Sequence, residues 1–178
     1  MAELVLGRTR MNRVIEHDYP TRKRIRLPRI VYRQGHIIFL TITTHQRHNW
    51  FRLYPALCLQ AVELLNKLTS DRASTLYAWC ILPDHMHLLI NDQDMVEYVR
   101  LLKGRLTPVA RRLAPKKKLW QRSFYDHFLR KEEAVYQVAQ YIWENPVRAG
   151  LVELPQHYKW SGSSTWPDFK DWYESGRG

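Results

Sequence analysis

Thr75-Leu76-Tyr77-Ala78-Trp79-Cys80-Ile81-Leu82-Pro83-Asp84-His85-Met86-His87-Leu88-Leu89-Ile90 reads as two strands joined by a tight turn. Thr75 to Leu82 is aromatic, aliphatic and β-branched, the composition a pleated surface favours. Pro83-Asp84 is turn chemistry: proline fixes its own φ, and a short carboxylate can bond to nearby backbone. His85 to Ile90 follows at once as the next strand. Alternate residues of a strand face the same way, so His85 and His87 project together while Met86 points into a core.

Upstream, His36 to Thr44 (HIIFLTITT) is a further strand, and Tyr54 to Leu68 sets Leu57, Ala61, Leu64, Leu65 and Leu68 at helical spacing. Downstream, Asp94 to about Leu113 is a helix with Val96, Val99, Leu102 and Leu106 on one face, which Pro108 is expected to kink or end. Ser123 to Leu129 is the last strand. Glu132 to about Glu144 is a helix: Glu132 and Glu133 suit its positive end, and Val135, Val138, Ala139 and Ile142 form its apolar stripe. Pro146 is expected to stop it.

The order is β-α-β-β-α-β-α. Its first six elements match a ferredoxin-like α+β plan, an antiparallel sheet with helices on one face, and the seventh is an extra C-terminal tyrosine-bearing helix. The expected organisation is a basic N-terminal arm over 1–33, one folded domain over 34–152 and a loose C-terminal tail over 153–178.

The 178 residues carry a net charge of +11, which points to a polyanionic partner such as nucleic acid. With 45% hydrophobic residues, 7 Trp and 10 Tyr, the chain can build a core and is not expected to be disordered. Cys58 and Cys80 lack CxxC spacing and sit among apolar neighbours, so they read as reduced core residues rather than zinc or redox ligands. No apolar run is long enough to span a bilayer and no signal h-region is present, so a cytoplasmic protein without membrane contact is expected.

Two imidazoles side by side on a rigid strand make half of a site for a divalent metal. Histidines two apart also occur on ordinary sheet surfaces, so His85 and His87 gain meaning only from a second feature. That feature is Gln140-Tyr141-Ile142-Trp143-Glu144-Asn145-Pro146-Val147-Arg148-Ala149-Gly150, in which Tyr141 and Asn145 share a helix face one turn apart. Tyr141 lies beside the apolar stripe, placed to reach toward the sheet. A phenol is a weak nucleophile near neutral pH, and phosphodiester cleavage needs charge stabilisation and in-line placement, both of which an ion on His85 and His87 would help to supply. A third ligand near the nucleophile would be Asn145 through its amide oxygen, although preceding Pro146 biases it away from helical angles. Glu144 is the alternative.

At these residues the chain resembles the single-tyrosine HUH transposases, and most closely the REP-associated tyrosine transposases. The likeness covers about residues 30 to 165. It rests on the strand before the first helix, on Ala78-Trp79-Cys80-Ile81-Leu82-Pro83-Asp84-His85-Met86-His87, on Trp120-Gln121-Arg122-Ser123-Phe124-Tyr125-Asp126-His127, and on Tyr141 to Val152. The resemblance implies a ferredoxin-like fold, His85, His87 and Asn145 as ligands of Mg²⁺ or Mn²⁺, and Tyr141 as nucleophile. It further implies single-stranded DNA hairpins as substrate, cut through a 5′-phosphotyrosine intermediate, with a monomer expected over a dimer.

Arg22, Lys23, Arg24 and Arg26 of the arm, Lys103, Arg105, Arg111 and Arg112 of the second helix, and Lys116, Lys117, Lys118 and Arg122 of the following loop are candidate phosphate contacts. Each could equally be a solvated charge. Trp120, Tyr125, Trp143 and Trp160 are candidate base-stacking platforms, with core packing the competing role. Asp126 and His127 read as a structural pair or a proton relay. A non-enzymatic DNA-binding protein on the same fold is the alternative function.

Overall fold

The computed structural model describes residues 36–129 and 135–174. Its strands are β1 (Ile37–Thr43), β2 (Thr75–Leu82), β3 (His85–Asn91), β4 (Tyr125–Phe128) and β5 (Ser161–Gly162). They form one sheet in the order β4-β1-β3-β2-β5, with every neighbouring pair antiparallel. The first four strands in that order are the ferredoxin-like arrangement expected from the chain.

The helices are α1 (Pro55–Asp71), α2 (Met95–Leu113), α3 (Val135–Arg148) and α4 (Phe169–Glu174), with a single turn at Trp50–Leu53 ahead of α1. Leu57, Ala61, Leu65 and Leu68 of α1 and Val99, Leu102, Leu106 and Ala110 of α2 pack on Ile38, Leu40 and Ile42 of β1 and Met86, Leu88 and Ile90 of β3. The opposite face holds a smaller core: Phe39, Ala78, Cys80, Leu82 and Leu89 beneath Ala139, Ile142 and Trp143 of α3 and Phe169 of α4. Two helices therefore share one face, and the tyrosine-bearing helix takes the other. With both faces covered, β2 reads as a continuous apolar run, not an alternating one. A bulge between Leu76 and Ala78 shifts its phase.

The register of β3 has an energetic basis. Burying Met86, Leu88 and Ile90 contributes roughly 1.5–3 kcal/mol each. A one-residue slip would move all three out of the larger core to the α3 face and drive both imidazoles into their place.

Three local expectations yield to packing. Pro108 does not end α2, because Leu102, Leu106 and Ala110 hold both halves of the helix on the sheet. Pro146 does not stop α3, which runs through a helical Asn145 to Arg148. The stop is Gly150, at φ +65: its N–H bonds to the Val147 carbonyl and that of Leu151 to the Pro146 carbonyl, a left-handed glycine cap. Nor is the tail loose. β5 pairs with β2, the Tyr158 hydroxyl donates to the Ile81 carbonyl (2.7 Å), and Phe169 stacks on Trp143 at 4.2 Å between centroids. Among the described residues no helix is long and apolar enough to cross a membrane. The arm over 1–33 and Glu132 and Glu133 lie outside the described residues.

Candidate active site

On the α3 side of the sheet the strand register sets out rows of neighbouring side chains. One row runs Tyr125, Thr41, His87, Cys80; the next runs His127, Phe39, Leu89, Ala78; and Thr43, His85 and Leu82 lie on the other side of the first. The covered end of this surface lies under α3, and His85 and His87 stand beside it.

The two imidazoles converge. His85 Nε2 and His87 Nε2 are 3.1 Å apart. Their other nitrogens are held: His85 Nδ1–H donates to Asp84 Oδ1 (2.5 Å), and His87 Nδ1 lies 3.0 Å from Thr41 Oγ1. With Nδ1 of His87 as donor to Thr41, both Nε2 atoms present lone pairs to a common point. Two nitrogens each about 2.0–2.1 Å from one ion, near a right angle, stand roughly 3 Å from each other, so this donor pair fits a divalent metal. Among the described residues no group of three or more His, Cys, Asp or Glu gathers at one point.

The electrostatics favour neutral imidazole at the inner position. Burial, followed by the neighbouring charge of His85, pushes His87 well below the usual histidine value, and the charge of Asp84 offsets this only in part. Burial opposes ionisation of Asp84, but its hydrogen bond with His85 and the charges of His85 and Arg47 outweigh it and hold the carboxyl below its ordinary value. Arg47 Nη1 donates to Asp84 Oδ2 at 3.1 Å. This arginine and its neighbour Gln46 have φ of 51 and 53, left-handed backbone that costs a non-glycine residue roughly 1–2 kcal/mol.

Tyr141 stands on the same face. Phe39 stacks on His87 (5.2 Å between centroids, 25°) and meets Tyr141 edge-on (6.4 Å, 69°). The nucleophile candidate and the inner histidine are thus separated by one shared ring. The Arg148 guanidinium covers the Tyr141 ring at 4.3 Å and binds Glu144 at 2.6 Å. Asn145 Nδ2 donates to the Tyr141 carbonyl at 2.7 Å, which fixes the amide with its nitrogen on the helix. Tyr136 turns away and packs on Trp166 at 5.7 Å.

The candidate DNA contacts divide by location. Arg105, Arg111 and Arg112 are exposed on α2, with the sheet between them and the histidines. Lys103 is engaged by protein: its ammonium donates to the carbonyls of Gln121 (2.7 Å) and Ser123 (3.1 Å), fastening the loop that leads into β4. Lys116, Lys117, Lys118 and Arg122 are exposed on that loop. The loop lies at the His85 end of the sheet, because Gln121 N–H bonds to the carbonyl of Thr43, the partner of His85. Arg22, Lys23, Arg24 and Arg26 fall outside the described residues. Trp120 and Trp143 are core residues whose N–H groups bond to the carbonyls of Lys103 and Gly162. Asp126 opposes Leu40 and faces away, whereas His127 opposes Phe39 on the histidine face.

Residues 32–145 match the family model described as Transposase IS200 like. The chain belongs to this family of IS200-like transposases. It is 34% identical over 98 residues to a Haemophilus influenzae protein named provisionally as a REP-associated tyrosine transposase, a match covering 47% of this chain and 56% of that one. It is 29% identical over 99 residues to the REP-associated tyrosine transposase of Escherichia coli K12, covering 53% of this chain and 58% of the other. The matched region thus spans a little over half the length of these curated relatives. In fold, the IS200-like chain resembles a solved REP-associated tyrosine transposase bound to a REP hairpin, with a TM-score of 0.65 at 23% identity and 88% of both chains covered. The resemblance seen in the motifs and the ferredoxin-like α+β fold are both borne out.

Thr41, Phe39 and Arg47 were not singled out from sequence, and Asp84 was read only as a turn residue. Thr41 and Phe39 follow from pairing β1 with β3, which the ferredoxin-like order requires; Asp84 adjoins His85 directly. Arg47 had no signal.

Proposed function

We propose that this chain is a metal-dependent endonuclease and strand transferase for single-stranded DNA, acting on REP-like hairpins through Tyr141 and a 5′-phosphotyrosine intermediate. The observation that carries it is that His87 and Tyr141 share Phe39 as a neighbour on one face, with His85 Nε2 converging on His87 Nε2 beside them. The names of the relatives, and the hairpin bound to the similar solved structure, support the choice of substrate.

His85 and His87 would hold the ion through Nε2, with Asn145 as third ligand through Oδ1. Asn145 is preferred to Glu144, whose carboxylate is engaged by Arg148. When bound, Mn²⁺ or Mg²⁺ would act as a Lewis acid on the scissile phosphate. Tyr141 Oη forms a bond to phosphorus as the bond from phosphorus to the 3′ oxygen breaks. The phenolic proton is released and the 3′ oxygen takes up a proton, leaving a free 3′-hydroxyl and a 5′ phosphate on Tyr141. One phosphodiester replaces another, so rejoining needs no ATP. Arg148 holds a positive charge over the Tyr141 ring, where it would favour loss of the phenolic proton ahead of attack. Lys116, Lys117, Lys118 and Arg122 would hold the DNA backbone at the His85 end of the sheet. On the reading that Tyr141 acts with the histidines of its own chain, a monomer is favoured over a dimer.

The test is a panel of labelled hairpin oligonucleotides incubated with Mn²⁺ and resolved under denaturing conditions. A covalent adduct is expected, absent with chelator and absent in Tyr141→Phe. An adduct that persists in that variant refutes the role of Tyr141. Salt-sensitive binding with no adduct on any hairpin would favour a DNA-binding protein that does not cut.

A further inference from the structure

We propose that Arg47 is a positioning residue for the metal ligand His85, acting through Asp84, and that the left-handed backbone at residues 46 and 47 serves to hold it there. This rests on the metal-site reading above and adds to it an outer partner that lies in a different loop.

The chain of contacts is continuous. Asp84 divides its carboxylate, giving Oδ1 to His85 Nδ1 at 2.5 Å and Oδ2 to Arg47 Nη1 at 3.1 Å. A carboxylate held at one oxygen can still swing about its bond to the backbone; held at both, it fixes the plane in which the imidazole lies. The Asp84 side chain is only 17% exposed, so little water is present to take over the role of the guanidinium.

The loop is built around this contact. Thr44, fully buried, places its hydroxyl 2.7 Å from the His48 carbonyl and 2.9 Å from that of Asp84, and its own N–H bonds to the same Asp84 carbonyl at 2.9 Å. The turn after β1 is thereby fastened to the turn before His85. Its apex is Gln46-Arg47, two consecutive left-handed residues of types that rarely adopt that conformation. Glycine or asparagine would adopt that conformation at lower cost. An exposed ion pair contributes little to folding, and the Arg47 side chain is 58% exposed, so stability does not account for the strain. Strain kept beside a ligand points to a positional requirement.

The experiment measures Mn²⁺ affinity without DNA, by the electron paramagnetic resonance signal of the free ion, for the parent, His87→Ala, Asp84→Asn, Arg47→Ala, Arg47→Lys and the Arg47→Ala/Asp84→Asn pair. Thermal unfolding of each checks the fold, with Arg47→Met used if Arg47→Ala does not fold. Asp84→Asn is expected to weaken binding by about 10–100-fold, and Arg47→Ala, one contact further out, by about three- to tenfold. Arg47→Lys should fall between parent and Arg47→Ala. In the Asp84→Asn background, loss of Arg47 should change nothing further. Ring ¹⁵N shifts should show the His85 tautomer less fixed in Arg47→Ala.

Parent affinity retained in a folded Arg47→Ala overturns the proposal and leaves the metal reading intact. An Arg47 effect of equal size with and without Asp84 also overturns it, since Arg47 would then act by another route. A parent that binds no Mn²⁺, or a His87→Ala that binds as the parent does, defeats the metal reading and this inference with it.

Discussion

His85 Nε2 and His87 Nε2 face each other across 3.1 Å while both Nδ1 atoms are engaged elsewhere, one by Asp84 and one by Thr41. Two lone pairs at that distance repel unless a proton or a cation lies between them, and burial disfavours a charged His87. Removing one nitrogen should therefore do more than remove an outer partner. His87→Ala is expected to lower Mn²⁺-supported hairpin cleavage by at least about 100-fold, the upper end of what loss of an outer partner does. A time course on a labelled oligonucleotide measures it.

Thr41 isolates the tautomer of His87 from its presence. In Thr41→Val the shape is nearly kept, but the His87 ring loses its Thr41 partner and keeps its bond to the Leu40 backbone, at a stability cost of about 1 kcal/mol. Metal affinity should fall about 10–100-fold. Calorimetric Mn²⁺ titration and thermal unfolding on the same preparation separate the two effects; unchanged affinity would remove Thr41 from the site.

The burial of His87 also gives a pH dependence. The ring of the unfolded chain titrates near 6.5, and the folded ring titrates well below that. As pH falls past 6.5 the unfolded chain binds a proton that the fold refuses, so stability declines by up to about 1.4 kcal/mol per pH unit until the folded value is reached. His87→Gln should lose this component. Unfolding midpoints at pH 7 and pH 5 should drop further for the parent than for the variant. Asp84 does not confuse the comparison, since its carboxyl lies below the ordinary value of 3.8.

The C-terminal segment is expected to be part of the folding unit. Trp143 is fully buried, stacks on Phe169 and donates to the Gly162 carbonyl at 3.1 Å. Trp143→Ala should cost about 3–5 kcal/mol. Gly162→Ala would set a Cβ 2.5 Å from the Trp79 ring, so β5 should detach or shift, with a lower melting temperature. Deletion of 153–178 should lower it further still.

What the sequence made legible was local. The bounds of β2, the pairing of His85 with His87, and the shared face of Tyr141 and Asn145 follow from periods of two and three to four residues, which need no knowledge of the rest of the chain. Thr41 and Phe39 depend on which strand lies beside β3. Arg47 depends on an unusual backbone that its own residue type disfavours. Lys103 looked like a DNA contact because charge is visible in a sequence, whereas the carbonyls of Gln121 and Ser123 that engage it are not. The tail escaped notice because a two-residue strand and a six-residue helix are too short to show a period. Pro146 shows a strong local rule set aside: the proline is buried inside the last turns of the helix, whose exposed end a glycine closes four residues later.

The hairpin of β2 and β3 behaves like a reading frame. In β3 the odd residues His85 and His87 face the candidate site and the even residues Met86, Leu88 and Ile90 the larger core; in β2 Trp79 and Ile81 face that core and Cys80 and Leu82 lie beside the histidines, and Pro83-Asp84 is the punctuation that joins the two phases. Point changes along it can be absorbed one by one. A single residue gained or lost between Leu82 and Met86 would put every later side chain out of phase, so variation in length here is tolerated only in steps that restore the beat.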